Sequence, residues 1–198
     1  MQLSKFSYYS DFVVYPVVVA GLTVADFIRA PEPGAAVWFG EWLLSCFLGL
    51  VAWSLLEYGL HRVALHYMAY FSPMHALHHA EPLGLIGTPS WISVGVWLGV
   101  ILLPLSFGLG FNVATGVTVG IMLGYWWYGI VHHVIHHHAH RRPAARDLGD
   151  LTYFDQLRAR HMRHHHSPRQ GNFGVTTSVW DHVFGTAISA PRKAVVSS

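Results

Sequence analysis

Apolar residues fill four long stretches of the chain, and polar residues gather between and after them. The stretches run from about Asp11 to Ile28, Ala36 to Leu60, Trp91 to Phe111 and Val113 to Ile135. Each approaches the roughly 20 residues that an α-helix needs to cross a bilayer. The first stretch follows Lys5 like a secretory signal peptide, but it is long and lacks a clear small-residue cleavage site. The pattern therefore predicts an all-α integral membrane protein with about four transmembrane helices.

Counting the crossings places the polar segments on one side. The third and fourth stretches form a hairpin around residues 108–112, so residues 61–90 and 132–198 share a membrane face. All 16 histidines fall in these two segments, and 11 of the 12 Lys and Arg residues lie on the same side, Arg29 being the exception. Positive residues favour the cytoplasm. The sequence therefore predicts a histidine-rich helical cap on the cytoplasmic face.

Composition agrees with this picture and excludes other classes. Hydrophobic residues make up 53% and charged residues 11%, whereas about 25% charged is usual in soluble domains. A formal charge of +2 is too small to indicate a nucleic-acid partner. Cys46 is the single cysteine, which excludes an internal disulfide and a cysteine-based zinc site. We expect one membrane-embedded domain over residues 1–186, an amphipathic helix ending near Ser167 and Pro168, and a disordered tail over residues 187–198.

The histidines occur in four patterned groups: "HRVALH", "HALHH", "HHVIHHHAH" and "HMRHHH". A helical residue turns by about 100°, so each HxxHH group spans one helix face, while neighbours such as His78 and His79 point apart and do not easily bind one ion. The two HxxHH groups therefore favour two nearby metals, and imidazole suits iron, zinc, copper and nickel. We expect one metal to take ligands from the HxxxxH, HxxHH and HxxxH groups and the second from the rest.

Other histidines do not follow the one-face helical spacing of the HxxHH groups. His61 and His66 diverge by about 140° on an α-helix, which suits ligands of different metals or a pair placed where a helix ends. A lone interfacial histidine or a single "HHH" run does not indicate a metal, but four patterned groups on one side do. The remaining histidines are expected to support ligands or lie at the surface: His133, His138, His140, His166 and His182.

Carboxylates are scarce beside these groups. A two-metal hydrolase usually has bridging Asp or Glu, and only Glu57, Glu81, Asp155 and Asp181 are near. Glu57 lies one turn before His61 and is expected to accept the second imidazole N–H of that residue. A histidine-rich dimetal site at the mouth of a helix bundle suits oxygen activation by iron and attack on a C–H bond of a substrate in the bilayer.

The motifs resemble the membrane fatty acid hydroxylase superfamily, which includes sterol desaturases and carotenoid hydroxylases. The segments that carry the resemblance are "EYGLHRVALH", "HALHH", "YGIVHHVIHH", "HMRHH" and "FGVTTSVWDHVFGT", over about residues 50–186. The last is most similar to the fatty acid and sphingolipid 2-hydroxylase branch. The resemblance implies these metal ligands: His61, His66, His75, His78, His79, His132, His136, His161, His164 and His165. It implies supporting roles for His137 and Asp181.

The resemblance also implies a diiron enzyme that uses O2 and two electrons to insert one oxygen atom into an acyl chain of a fatty acid or lipid. Zinc can occupy such a site in isolated protein. A separate electron-transfer protein is expected, because the chain has no room for the haem domain that some relatives carry. The family often has Asp after the motif tyrosine, whereas Gly129 follows Tyr128 here, which leaves the head group and the position of attack open.

Two alternatives stand beside this interpretation. One is another reaction of the superfamily, such as hydroxylation of a carotenoid or desaturation of a sterol or an alkyl chain, although the carotenoid branch typically ends differently from "TTSVWDHVFGT". The other is a metal-binding membrane protein without redox turnover, such as a zinc transporter, which would need polar groups near the membrane midplane. Aromatic residues at the ends of the second and fourth stretches are expected to line an acyl channel or to form an interfacial belt: Trp53, Tyr58, Tyr125, Trp126 and Tyr128.

Overall fold

The computed structural model describes residues 2–137 and 152–189, which form a bundle of helices with a helical cap at one end. The helices are α1 Lys5–Tyr9, α2 Asp11–Phe27, α3 Ala35–Gly59, α4 Ser72–Ala80, α5 Ser90–Val96, α6 Leu103–Leu109, α7 Phe111–His137, α8 Tyr153–His166 and α9 Val179–Val183. A π-helical segment, Leu60–Leu65, continues α3, and a second, Trp97–Leu102, joins α5 to α6. The all-α prediction is confirmed.

Four helical stretches are long and apolar enough to cross a membrane: Lys5–Phe27, Ala35–Leu65, Ser90–Leu109 and Phe111–His137. They match the four predicted stretches to within a few residues at most ends. The hairpin between the last two turns at Gly110, whose φ is 85°. Glycine is the residue that reaches this left-handed region without strain.

Helices α3 and α7 pack closely because α7 carries glycine at every fourth position, at residues 116, 120 and 124. A Cβ added at Gly120 would lie 2.1 Å from the carbonyl oxygen of Cys46, and one at Gly124 would lie 2.4 Å from the Trp53 ring. Small residues at this spacing let two membrane helices approach closely. The contact brings the histidine-bearing end of α7 close to the π-helical segment that continues α3 and carries His61.

The bundle interior beneath the cap is largely aromatic. Tyr15, Trp53 and Trp97 pack with Ile121 and Met122 in one buried cluster. The indole Nε1 of Trp97 donates a hydrogen bond to the Tyr15 hydroxyl over 3.0 Å. This gives the indole N–H a partner in an apolar interior.

The cap contains α4, α8 and the segment after α8. Helix α8 begins with a capping box in which Thr152 and Asp155 bond each other's backbone N–H groups. Leu157, His161 and His164 are buried at the spacing of one helix face. The predicted amphipathic helix ending at Ser167 is thus confirmed.

The expected domain end at residue 186 stays a prediction. The N–H of Ala187 donates to the Asp181 carbonyl over 3.1 Å, and the N–H of Ile188 donates to Asn172 Oδ1 over 2.8 Å. The backbone donors of these two residues therefore have partners inside the cap. Residues 190–198 lie outside the described part.

Candidate metal centre

The histidines singled out as ligands meet in two clusters at the cap. The ligand atoms of His61, His66, His75 and His164 lie within 4.8 Å of one another, as do those of His78, His136, His161 and His165. His79 Nε2 adjoins the first set, 3.0 Å from His75 Nε2, and His132 Nε2 adjoins the second, 3.1 Å from His78 Nε2. Cluster A is His61, His66, His75, His79 and His164. Cluster B is His78, His132, His136, His161 and His165.

Each HxxHH motif serves both clusters. His75 and His79 of α4 enter cluster A, whereas His78 enters cluster B. In α8 the arrangement is reversed, with His161 and His165 in cluster B and His164 in cluster A. Residues four apart on a helix lie above one another. The first and last histidines of each HxxHH motif therefore join one cluster, and the middle histidine joins the other. The predicted separation of adjacent histidines is confirmed.

The HxxxxH pair is explained by the π-helical segment. His61 and His66 both belong to cluster A, and their rings stack with centroids 5.4 Å apart. A π-helix bonds residue i to i+5, so residues five apart are brought nearly into line. The interpretation of two ligands for different metals is therefore wrong, and placement at a helix end is confirmed.

The expected grouping of the HxxxH pair with the HxxxxH pair is also wrong. His132 and His136 lie in cluster B, where His136 Nε2 is 2.9 Å from His161 Nε2. Cluster A takes His164 of α8 in their place, while His161 and His165 of α8 join cluster B.

The donor sets fit metal ions. Neighbouring Nε2 atoms lie 2.9 to 3.3 Å apart within the clusters, and five converging imidazoles cannot all satisfy one another by N–H donation. Metal–imidazole bonds of about 2.0–2.1 Å put two ligands at right angles about 3.0 Å apart. Each cluster therefore has the spacing and chemistry to hold one ion of the kind that imidazole binds.

Burial keeps these imidazoles neutral. Desolvation, with neighbouring imidazoles, lowers the pKa of His66 to about 4 and that of His78 to about 3. Burial likewise lowers the pKa of His164 to about 3, against a raising contribution from its hydrogen bond to Gly171. Metal ligation needs the deprotonated ring, so the side chains are ready for ligation at neutral pH.

Backbone carbonyls orient two ligands of cluster A. His61 Nδ1 lies 2.6 Å from the carbonyl oxygen of Phe173, and His164 Nδ1 lies 2.8 Å from that of Gly171. A carbonyl only accepts, so each Nδ1 carries the proton and each Nε2 is left free to ligate.

Glu57 does not accept from His61 as expected, because the Phe173 carbonyl takes that N–H. The buried Glu57 carboxylate instead accepts from the backbone N–H of Val175 over 2.6 Å and of Thr176 over 2.8 Å. Glu57 therefore acts on the ligand through the loop that carries Phe173.

Asp181 holds the same loop from the other side. It accepts from the N–H groups of Phe173 and Gly174, each over 2.9 Å. Asn172, with φ of 55°, donates from its amide to the Arg160 carbonyl over 3.2 Å. Sequence reasoning missed the role of "GNFG", residues 171–174, although Asn is among the few residues that adopt the left-handed conformation readily.

The other histidines lie around the clusters. The rings of His133 and His137 stack 4.5 Å apart, and the Tyr8 hydroxyl lies 3.1 Å from His133 Nδ1. A supporting role for His137 stays a prediction. His166 and His182 are exposed, while His138 and His140 lie outside the described residues.

An apolar cavity of about 310 Å³ reaches the clusters. Its wall includes four of the five predicted channel aromatics, Trp53, Tyr125, Trp126 and Tyr128. Four ligands share that wall: His61, His75, His78 and His132. Trp53 is 4% exposed, so it lines this interior space and does not form an interfacial belt.

Tyr58 is a correction to the predicted channel. Its ring stacks on Phe184 with centroids 5.2 Å apart, and its hydroxyl accepts from the Arg62 guanidinium over 2.7 Å. Five residues separate it from Trp53, which turns it about 140° away on α3. Tyr58 therefore packs against the C-terminal segment.

A second cleft, of about 570 Å³, also borders the clusters, and it shares Leu65 and His75 with the wall of the apolar cavity. His66, His79 and His165 face it, together with polar side chains such as Ser72 and Gln170. These three histidines are half-buried, as is His132, which borders the apolar cavity. The other six cluster histidines are buried. The clusters thus have both an apolar and a polar approach.

The fold and site define a helical protein with four membrane-length helices and two histidine clusters suited to metal ions. The chain belongs to the fatty acid hydroxylase family, whose model matches residues 46–186. The match covers most of the chain and includes all the residues of both clusters.

Individual relatives agree with this assignment. The chain is 31% identical to fatty acid 2-hydroxylase of Macaca fascicularis over 159 residues, 74% of this chain and 39% of that protein. It is 30% identical to dihydroceramide fatty acyl 2-hydroxylase FAH2 of Arabidopsis thaliana, over 86% of this chain and 69% of that protein. It spans about two fifths of the length of the first of these.

A solved structure shares the fold. The structure described as full-length scs7p, with only the hydroxylase domain visible, superposes with a TM-score of 0.71 at 22% identity. The match covers 92% of this chain and 67% of that one.

Proposed function

We propose that the protein is a membrane oxygenase that hydroxylates the acyl chain of a fatty acid or lipid, at the carbon next to the carbonyl. The observation that supports this most directly is the apolar cavity whose wall carries His61, His75, His78 and His132. A cavity of this kind suits an acyl chain, and 2-hydroxylation is the reaction named for several relatives.

The ten cluster histidines would hold two iron ions, and iron bound there would supply the activation of O2. Each turnover converts a C–H bond, O2, two electrons and two protons into a C–OH group and water. The electrons would come from a separate electron-transfer protein. The cap would lie on the cytoplasmic side of the membrane, which the distribution of Lys and Arg supports.

The residues around the cavity position the chain and exclude water. The Tyr128 ring stacks on His132 with centroids 5.6 Å apart and 10° between the planes. A chain in contact with Tyr128 therefore lies beside cluster B. Trp53 and Trp126 close the same wall, and an apolar enclosure protects a reactive centre from side reactions with water.

Lipid mass spectrometry of a host that expresses the chain tests the proposal. We expect products heavier by one oxygen atom, absent with His164→Ala and retained with His182→Ala, which changes an exposed histidine. A loss of two hydrogens would identify desaturation instead. Unchanged lipids with a fully metal-loaded protein and a competent electron donor would favour the non-redox alternative.

A further inference from the structure

Two carboxylates, Asp11 and Glu57, border the largely apolar cavity. Both oxygens of Glu57 already accept hydrogen bonds from Val175 and Thr176. Asp11, in the first turn of α2, borders the cavity together with Tyr8 and Thr88. In the described part of the chain, the hydrogen bond to this carboxylate comes from the Ser90 hydroxyl and reaches only Oδ1. The second oxygen, Oδ2, accepts none from the described residues. A carboxylate oxygen beside apolar surface is costly unless it meets a donor.

The carboxylate is held in place from two helices. Ser90 is the first residue of α5, and its hydroxyl lies 2.7 Å from that of Ser10, just before Asp11. The N-terminal segment is fixed alongside, since the Leu3 N–H donates to the Leu85 carbonyl over 2.7 Å. Asp11 is therefore a positioned group whose free acceptor borders the substrate space.

We propose that Asp11 is a binding site for the lipid head group and accepts a hydrogen bond from a hydroxyl or amide N–H there. This inference rests on the proposed function and specifies its substrate class: a neutral acyl lipid with such donors, in preference to a free fatty acid. An ionised fatty acid offers only acceptors at its head, and its charge is repelled by a carboxylate in a medium of low dielectric constant.

The size of the cavity fits this assignment. A volume of about 310 Å³ lies near the lower end of the roughly 300–1,000 Å³ of small-molecule pockets. It accommodates a head group and the first carbons of a chain, with the remainder in the bilayer. A head group bound at Asp11 keeps those first carbons in the space that the cluster histidines border, which agrees with attack next to the carbonyl.

Binding to purified zinc-loaded protein tests this without turnover. The probes are N-palmitoyl dihydroceramide and palmitate, titrated calorimetrically in detergent. We expect the wild type to prefer dihydroceramide, and Asp11→Leu to weaken dihydroceramide binding by about tenfold or more, as for a lost hydrogen bond to a charged group. Palmitate binding should be unchanged or tighter. Glu41→Gln removes an exposed acid elsewhere and is the matched control.

A ligand-side experiment covers the case in which the Asp11 variant does not fold. Dihydroceramide with its hydroxyls and amide nitrogen methylated should bind the wild type about as weakly as palmitate does. Equal binding of the three lipids, or equal loss of both natural probes in Asp11→Leu, would overturn the proposal. Oxygenation of palmitate with no head-group preference would leave the proposed function standing and refute the role of Asp11. A preference for the dihydroceramide head group without oxygen insertion would support the role of Asp11 and refute the proposed function.

Discussion

His61 Nδ1 lies 2.6 Å from the carbonyl oxygen of Phe173, a residue 112 positions later in the chain. The contact joins the end of a membrane helix to the cap, and it fixes the tautomer of a cluster A ligand. The geometry of that ligand thus depends on a loop held by two buried carboxylates, Glu57 and Asp181.

Replacement of Glu57 should weaken metal binding without removing it. Glu57→Gln keeps the shape and one acceptor oxygen for the N–H groups of Val175 and Thr176, but it removes the negative charge and the oxygen that accepts from the Thr176 hydroxyl. The loop that positions the Phe173 carbonyl against His61 is then held less firmly. We expect about a 10–100-fold loss of affinity, as for other groups that orient a ligand, measured by chelator competition. Glu41→Gln should have no effect. Unchanged affinity in Glu57→Gln would show that the loop orients nothing.

The crossing of the HxxHH motifs predicts an unusual pattern of metal loss. The double variant His75→Ala and His164→Ala damages only cluster A, so about one ion per chain should remain. Pairing His75→Ala with His161→Ala damages both clusters and should leave less than one. Metal analysis of purified protein measures this. If the first pair kept two ions, the two-cluster assignment would fail.

Close backbone contacts in the cap make Gly174 sensitive. A Cβ there would lie 1.9 Å from the Thr177 carbonyl oxygen, so Gly174→Ala should destabilise the protein by about 1–3 kcal/mol, the usual cost of overpacking. Gly95, in α5, has no atom within 4 Å of such a Cβ. Gly95→Ala is the control and should be neutral or slightly stabilising in a thermal melt in detergent.

The metal-free protein should lose stability in acid. Burial lowers the pKa of His66 to about 4 and those of His78 and His164 to about 3, whereas an unfolded chain has values near 6.5. As pH falls below about 6.5, the unfolded state takes up these protons first, so stability is full above that pH and declines toward pH 3. Melting temperatures between about pH 8 and pH 5 would show this, and a flat profile would contradict it.

Much of the fold and site could be predicted from local pattern. The four apolar stretches predicted the four long helices, and helical spacing separated His78 from His79. The HxxxxH pair failed because a π-helical segment replaces the assumed α-helix, and no single residue marks that change. The partner of His61 was also missed, since Phe173 contributes a backbone carbonyl, which side-chain identity does not reveal.

The two approaches to the clusters predict where metal ions enter. A hydrated cation cannot cross the apolar cavity without losing its water, at large cost, whereas the second cleft offers polar groups and the half-buried His66, His79 and His165. Ala76→Trp narrows that cleft, since Ala76 is exposed on its wall. It should slow metal removal by a hydrophilic chelator several-fold. Gly129→Leu, which fills the apolar cavity instead, should leave removal unchanged and weaken lipid binding. Slower removal in Gly129→Leu alone would assign metal access to the membrane side.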